Sequence, residues 1–264
     1  MMQQNLKVTL VQTDLVWEDA AKNREHIEQH IEQHIEPITD SDLIILPEMF
    51  TTGFSMKPQS IAETMDGPSI RWMQELAARK SCTIVGSMII TENQHFYNRL
   101  LWCNADGSVA HYDKKHLFSF AHEHHEYTAG NAPLIVDFKG WKIAAFICYD
   151  LRFPIWSRNI NGRYDAAIYI ASWPSKRSLH WYSLLQARAI ENQSYVIGVN
   201  RVGQDGNQHD YDGHSMLIDP SGEILLHEKD HEVVKTMQIS LSHVRDVRSR
   251  FPFLKDADPF VLTE

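Results

Sequence analysis

The chain has 264 residues, of which 43% are hydrophobic and 22% are charged, and its formal net charge is −9. A chain of this size and composition buries a large apolar core and needs no disulfide bonds or structural metal ions to fold. The negative charge argues against nucleic-acid binding, which needs a basic surface, and no apolar run approaches the length of a membrane span.

Three cysteines, Cys82, Cys103 and Cys148, are widely spaced, and none belongs to a CxxC pair. This spacing is typical of neither a disulfide framework nor a zinc knuckle. The N-terminal residues run directly into an alternating, strand-like pattern without the apolar segment of a secretion signal. We therefore expect a reducing, cytoplasmic setting.

Strand and helix patterns alternate through the first half of the chain. Strands are predicted at residues 6–12, 42–46, 83–90, 96–103 and 109–112, the last two joined by a tight turn containing Asn104 and Gly107. Helices are predicted at residues 23–36 and 69–80. The second helix should bury four apolar side chains, Ile70, Met73, Leu76 and Ala77.

The helix at residues 23–36 contains the repeat HIEQHIEQHIE. One face carries three isoleucines, Ile27, Ile31 and Ile35. The flank carries three histidines at the same spacing, His26, His30 and His34. Histidines one turn apart can bind a metal, but a solvated flank of an amphipathic helix is the favoured interpretation. The sequence therefore predicts no metal site.

The second half repeats the alternation of strands, hairpins and helices. Strands are predicted at residues 133–138, 142–148, 165–171, 195–200, 215–218, 224–227 and 232–239, and a helix at residues 179–192 that turns Trp181, Leu184, Leu185 and Ala189 inward. Residues 116–130 should form a loop with a helical turn, and residues 203–213 a polar loop. We predict one α/β domain over residues 1–264, with an irregular arm from about residue 245.

The stretch IAAFICYDLRFP, residues 143–154, suggests a reactive site. Cys148 stands where a buried strand stops and a polar turn begins, so the strand fixes the thiol and the turn exposes backbone N–H groups. A buried structural cysteine is an equally good interpretation of this stretch alone.

Two other predicted strands end in residues that would complement a thiol. Glu48 follows the strand at residues 42–46, and Lys114 follows the strand at residues 109–112. A carboxylate can take the thiol proton, an ammonium can favour the thiolate and stabilise an oxyanion, and the thiol can form a thioester. Glu48 as a helix cap and Lys114 as a solvated lysine remain alternatives, because the three residues are far apart in sequence.

Several segments, in this order, resemble the nitrilase superfamily of carbon–nitrogen hydrolases: LPEMFTTGF, YDKKHLF, ICYDLRFP, ARAIENQSYVIGVN and GHSMLIDPSGE. The resemblance covers nearly the whole chain and implies a four-layer α-β-β-α sandwich with two mixed sheets. It also implies a homodimer or larger homo-oligomer and no cofactor. By the same resemblance, Glu48 is the general base, Lys114 the oxyanion-stabilising lysine and Cys148 the nucleophile.

The resemblance assigns three further roles. Lys114 rather than Lys115 is the family's lysine, since it lies two residues before His116. The backbone N–H of Tyr149 would be a second oxyanion donor. Glu123 best matches the glutamate that orients the lysine, with Glu126 as the competitor.

Within the superfamily, CYDLRFP, TTGFS and ASWP are similar to the omega-amidases, which convert 2-oxoglutaramate and 2-oxosuccinamate into 2-oxo acids and ammonia. Such a small anionic amide needs a cation or backbone N–H donors beside its carboxylate. Arg152 is the candidate for that cation. An arginine in such a position more often forms a structural ion pair with a neighbouring carboxylate, here Asp150. Phe54, Phe118 and Trp173 would wall the pocket, unless they are plain core residues.

Three other functions remain open from the sequence. The first is hydrolysis of N-carbamoyl amino acids or aliphatic amides on the same scaffold. The second is metal-dependent hydrolysis by the histidine-rich stretches at residues 122–125 and 209–214, neither of which has the HExxH pattern. The third is a non-catalytic binding protein of the same fold.

Overall fold

Two mixed β-sheets run through the part of the chain that the structure, a computed structural model, describes, namely residues 5–34 and 41–261. The first sheet has six strands in the order β13-β1-β2-β3-β4-β5. Their bounds are β1 (Asn5–Gln12), β2 (Leu43–Ile45), β3 (Thr83–Glu92), β4 (His95–Cys103), β5 (Val109–Asp113) and β13 (Val233–Ser240). The three central strands β1, β2 and β3 are parallel, and the other pairs are antiparallel.

The second sheet has the order β10-β11-β9-β8-β7-β6, with β12 also paired to β11. Its strands are β6 (Leu134–Phe138), β7 (Trp141–Ile147), β8 (Ala166–Ala171), β9 (Tyr195–Asn200), β10 (Val202–Gln204), β11 (Asp210–Ile218) and β12 (Ile224–Lys229). Strands β7, β8 and β9 are parallel. Their segments are almost wholly apolar, as expected for strands that are buried on both faces.

The two sheets pack face to face, and helices cover their outer faces. Between the sheets, Trp102 of β4 meets Phe138 of β6 edge to face, with ring centroids 5.6 Å apart. The helices are α1 (Ala20–His34), α2 (Pro58–Ile61), α3 (Pro68–Lys80), α4 (Glu123–Glu126), α5 (Ser178–Asn192) and α6 (Leu241–Arg250). Helices α1 and α3 cover the first sheet, and α5 lies on β9 and β11 of the second. The predicted four-layer α-β-β-α sandwich is confirmed.

Most element predictions hold within a few residues. In α3 the four predicted core side chains are buried, and in α1 Ile27 and Ile31 are fully buried, while Ile35 lies outside the described residues. In α5, Trp181, Leu185 and Ala189 are buried as predicted. A side chain at Gly198 of β9 would lie 2.4 Å from Leu185, so the absence of a Cβ lets α5 lie close to the sheet.

Two element predictions are wrong. Residues 203–213 are not one polar loop, because β10 and the first half of β11 pair antiparallel there, with Gly203 opposite Tyr211. The polar side chains alternate with buried ones, so the pairing leaves them facing outward. The C-terminal arm does not start near residue 245, because α6 continues to Arg250 and buries Leu241, Val244 and Val247 at three-residue spacing.

Among the described residues, no helix combines the length and apolar character that crossing a membrane requires.

Candidate active site

Cys148 begins a short 3₁₀ turn, Cys148–Arg152, immediately after β7. Its φ of +45° lies in the left-handed region, which non-glycine residues rarely adopt. Such a sharp reversal lifts the side chain out of the strand and presents it at the carboxyl end of the sheet. The structure therefore places the thiol as the strand-then-turn pattern predicts.

The fully buried carboxylate of Asp150 holds this turn in place through hydrogen bonds. Its Oδ2 accepts hydrogen bonds from the backbone N–H of Ile147 at 3.0 Å and from the Tyr112 hydroxyl at 2.7 Å. Its Oδ1 accepts from the backbone N–H of His116 at 3.0 Å and lies 2.8 Å from the Nδ1 of that histidine. Because these groups occupy the carboxylate, the alternative in which Asp150 pairs with Arg152 is wrong.

Glu48 lies in the turn after β2 and is completely buried. Its Oε1 accepts hydrogen bonds from the Lys114 Nζ at 2.9 Å and from the Asn98 Nδ2 at 2.8 Å. Its Oε2 accepts one from the backbone N–H of Ser172 at 2.8 Å. Three donors from three different segments thus orient this carboxylate, which excludes its alternative role as a helix cap.

Lys114 follows β5 and is also completely buried. Its Nζ lies 3.0 and 2.9 Å from the two carboxylate oxygens of Glu123, in addition to its bond to Glu48. Burial by itself lowers the pKa of this ammonium, but the negative charges of Glu123 and Glu48 outweigh it and raise the pKa. Lys114 is therefore a fixed positive charge, and the solvated alternative is wrong.

Glu123, rather than Glu126, is the acidic residue beside Lys114. The backbone N–H of Phe118 donates to Glu123 Oε2 at 2.5 Å, whereas Glu126 accepts from the Gln59 amide instead. Burial, followed by the charge of Glu48, raises the pKa of Glu123 against the opposing effect of Lys114. Of the two glutamates that the resemblance offered, Glu123 therefore contacts Lys114, whereas Glu126 contacts Gln59.

The loop that carries Glu123 returns to the end of β5 at Gly130. The Gly130 N–H donates to the Lys114 carbonyl at 3.0 Å, and a Cβ there would lie 2.2 Å from the Asp113 carbonyl oxygen. Only glycine permits this close approach, so Gly130 helps to position Glu123 over the lysine.

Cys148, Glu48 and Lys114 line one cavity, although they come from different sheets. Burial, followed by the charge of Glu48, raises the pKa of the Cys148 thiol well above its usual value, and Lys114 opposes this only in part. The reason is that Lys114 already faces two carboxylates. The thiol therefore rests protonated beside the carboxylate that can accept its proton.

The cavity has a volume of about 580 Å³, which suits a small molecule. All five predicted substrate-binding residues line it: Phe54, Phe118, Tyr149, Arg152 and Trp173. Several lining residues were not predicted, among them Trp17, Lys57, Lys176, Arg177 and Tyr211. Asn98, which donates to both Glu48 and Glu123, was also missed, because no motif marks an amide in the middle of a strand.

Two arginines give the cavity a positive wall. The Arg152 guanidinium lies 4.7 Å from the Trp173 ring centroid, and that of Arg177 lies 5.4 Å from the Phe118 ring centroid. Burial lowers the pKa of Arg152, and the charge of Arg177 lowers it further. An anion that binds between the two guanidinium groups offsets the repulsion between them.

The histidine-rich stretches do not assemble a metallohydrolase site. Over residues 5–34 and 41–261, three metal-binding side chains converge at His26, His30 and Glu232, and at neither stretch. In and just before α4, the rings of His122 and His125 instead stack, and the ring of His124 is tilted against both.

Comparison with known proteins gives a consistent result. The sequence model of the carbon–nitrogen hydrolase family matches residues 7–249. The omega-amidase YafV of Escherichia coli strain K12 is 46% identical over 258 residues, which cover 97% of this chain and 98% of that protein. The 2-oxoglutaramate amidase of Bacillus subtilis strain 168 is 33% identical over 239 residues, covering 89% and 92%.

A solved structure is similar over the same extent. It is the CN-hydrolase superfamily protein XC1258 of Xanthomonas campestris, determined with an arsenic adduct in its active site. It superposes with a TM-score of 0.96 at 42% identity and covers 99% of this chain and 100% of its own.

Proposed function

The chain belongs to the carbon–nitrogen hydrolase family, and on that basis we propose that it is an omega-amidase. It hydrolyses the terminal amide of a small 2-oxo dicarboxylic acid monoamide, such as 2-oxoglutaramate or 2-oxosuccinamate, to the 2-oxo acid and ammonia. The omega-amidase and 2-oxoglutaramate amidase relatives support the activity. The contact between Glu48 and Lys114 at the bottom of the Cys148 cavity is the structural observation that carries it.

In the first step, the Cys148 thiol gives its proton to Glu48 while Sγ attacks the amide carbon. This transfer leaves the charge of the site unchanged, because one carboxylate is neutralised as one anion forms. The reaction therefore avoids adding a second net negative charge to a buried site.

The anion forms on the amide oxygen, where Lys114 and the backbone N–H of Tyr149 would stabilise it. In the resting site the Lys114 ammonium directs its bonds to Glu48 and to both oxygens of Glu123. Once Glu48 is protonated, it is a weaker acceptor, so one ammonium N–H becomes available to the new oxyanion. Proton transfer and oxyanion stabilisation are thereby coupled, while Glu123 keeps Lys114 in position.

Glu48 then passes the proton to the leaving nitrogen, and ammonia departs from a Cys148 thioester. A water molecule, activated by Glu48 after ammonia has left, attacks the thioester carbon. The thioester bond breaks, the 2-oxo acid is released, and the thiol regains its proton. No cofactor enters this sequence.

Arg152 and Arg177 are the groups that we assign to the substrate carboxylate. They line the same cavity as Cys148, and guanidinium groups bind carboxylates through paired hydrogen bonds. The net charge of −9 would not attract an anion, so the attraction must come from this local positive wall.

A panel of amides separates substrate recognition from catalysis. We expect Arg152→Ala and Arg177→Ala to raise KM for 2-oxoglutaramate by about 10- to 100-fold, as for loss of a charged hydrogen bond. KM for an uncharged amide of similar size should change little. Ammonia release is the measurement, and Cys148→Ala serves as the blank.

Arg79→Ala is the matched control, since Arg79 pairs with Glu28 and does not line the cavity. Faster turnover of N-carbamoyl amino acids or plain aliphatic amides than of 2-oxoglutaramate would contradict the substrate assignment. An equal loss of activity on charged and uncharged amides would contradict the role of the arginines.

We also propose that the chain works as a homodimer in the cytoplasm. Leu179 of α5 is 74% exposed, and Phe253 beyond α6 is 62% exposed, as expected of surfaces that a second copy covers. The three cysteines are free thiols, which suits a reducing compartment. Sedimentation at micromolar concentration tests the dimer, and a monomer there would contradict it.

A further inference from the structure

Helix α1 and the chain just before β13 bring three metal-binding side chains together, away from the catalytic cavity. His26 Nε2 lies 3.1 Å from both oxygens of Glu232, and His30 Nε2 lies 2.9 Å from Glu232 Oε2. All three ligand atoms lie within 4.8 Å of one another. None of these residues lines the cavity that holds Cys148.

The geometry is close to that of a metal-ligand set. Histidines one helical turn apart point to the same side of a helix, and here the protein fold adds a carboxylate from a distant segment. Two imidazole nitrogens and one carboxylate oxygen form a common zinc site, which leaves a fourth position for water. Ligand atoms about 2.0–2.1 Å from a tetrahedral zinc ion lie about 3.3 Å apart, close to the 2.9 and 3.1 Å that separate the two imidazole nitrogens from Glu232.

Charge also favours a cation at this point. Within the described residues, the Glu232 carboxylate is met by the two imidazoles and by the backbone N–H of Asp14, at 3.0 Å from Oε1. Two imidazolium ions would repel each other, since the ring centroids of His26 and His30 are 4.5 Å apart. One divalent ion satisfies all three ligands at once, and the Asp14 N–H keeps the carboxylate oriented.

The site is open to solvent ions. A cavity of about 340 Å³ adjoins His26 and Glu232, and Lys22 and Glu25 also line it. An ion can therefore reach these two ligands from solvent, and the Lys22 ammonium at this cavity is paired with Asp19 at 2.9 Å.

We propose that His26, His30 and Glu232 bind one divalent transition-metal ion, with zinc as the best match, and that the ion fastens α1 to β13. Strand β13 is an edge strand that pairs with β1 alone in its sheet. A metal bridge from the covering helix would secure this edge. The role is structural, because the ligands lie outside the catalytic cavity.

Zinc binding to the full chain tests the proposal. The protein carries Cys148→Ala, so that the cavity thiol cannot bind the metal, and is stripped with a chelator before calorimetric titration with zinc chloride. We expect one tight equivalent and, at a hundredfold excess over Kd, a rise of about 5 °C in the melting temperature. Cobalt(II) at the same site should give the visible absorption of a four-coordinate ion.

Matched variants locate the site. Glu232→Gln and His30→Gln should weaken zinc binding at least about tenfold. His34→Gln should not, since His34 continues the same spacing on α1 but lies outside the cluster and contacts the His30 carbonyl. If His30→Gln fails to fold, the more exposed His26 provides the variant His26→Gln. The proposal would be overturned if the parent protein did not bind zinc tightly, or if the Glu232 and histidine variants bound zinc as tightly as the parent.

Discussion

At the scale of residues, the candidate site is a small set of buried charges that constrain one another. Glu48 and Glu123 share the single ammonium of Lys114, so the cluster carries a net negative charge before the thiol ionises. Lys114 does favour the thiolate of Cys148, as expected from the sequence, but burial and the charge of Glu48 outweigh it and raise the pKa of the thiol.

Glu48→Gln should separate catalysis from thiol reactivity. Amide hydrolysis should fall by about 100- to 10,000-fold, the usual loss when a general base is removed. The pKa of Cys148 should fall, because the variant removes a nearby negative charge and leaves Lys114 in place. At pH 8, where the native thiol is protonated, the variant should thus react faster with iodoacetamide.

Rates of alkylation between pH 6 and pH 10 provide the measurement, with Glu126→Gln as the control outside the cluster. The native rate should continue to rise at the alkaline end, since its thiol pKa is raised. A plateau of the native rate near neutral pH would show that the free enzyme already holds a thiolate and would contradict this account.

At the scale of elements, the turn after β7 depends on one carboxylate. Asp150 ties the last residue of β7 to Tyr112 of β5 and to His116, so it joins elements of both sheets. Trp156 Nε1 also donates to the Tyr112 hydroxyl, at 3.0 Å. The conformation of Cys148, with its positive φ, is held by this network rather than by the strand alone.

Asp150→Ala should lower the free energy of unfolding by about 3 kcal/mol or more, because several buried donors lose their acceptor together. Asp137→Ala, at an exposed position of β6, is the control and should change it by less than about 0.5 kcal/mol. Urea denaturation followed by tryptophan fluorescence measures both. Similar losses in the two variants would indicate that the network does not stabilise the turn.

At the scale of the whole molecule, the site exists only where the two sheets meet. Glu48 and Lys114 follow strands of the first sheet, whereas Cys148 follows a strand of the second. The layer between the sheets, which includes Trp102 and Phe138, sets their separation. The distances between the three proposed catalytic side chains therefore depend on how the two sheets pack.

Phe138→Ala should cost about 3–5 kcal/mol of stability, as for other large aromatic side chains removed from a core. Activity and tryptophan fluorescence should then be lost in one urea transition, shifted to lower urea. Phe260→Ala, near the C-terminus, is the control with a partly exposed ring. Loss of activity well before loss of fluorescence would mean that the sheets separate without unfolding.

The sequence predicted what local patterns encode. Apolar periodicity located α3 and most strands. The resemblance to a family predicted that Glu48, Lys114, Cys148 and Glu123 act together, which their spacing in the sequence could not have indicated. Contacts between remote segments were not readable: Asn98 under the two carboxylates, Arg177 beside Arg152, and Glu232 beside the α1 histidines. These depend on how the sheets and helices stack, which no single segment records.

The raised pKa of Cys148, the proposed nucleophile, bears on how the protein withstands oxidation. Hydrogen peroxide attacks thiolates far faster than thiols, and burial also raises the pKa of Cys82 and of Cys103 to about 12. All three thiols are thus held protonated in the resting protein. The enzyme should withstand a concentration of peroxide that inactivates cysteine enzymes with a preformed thiolate.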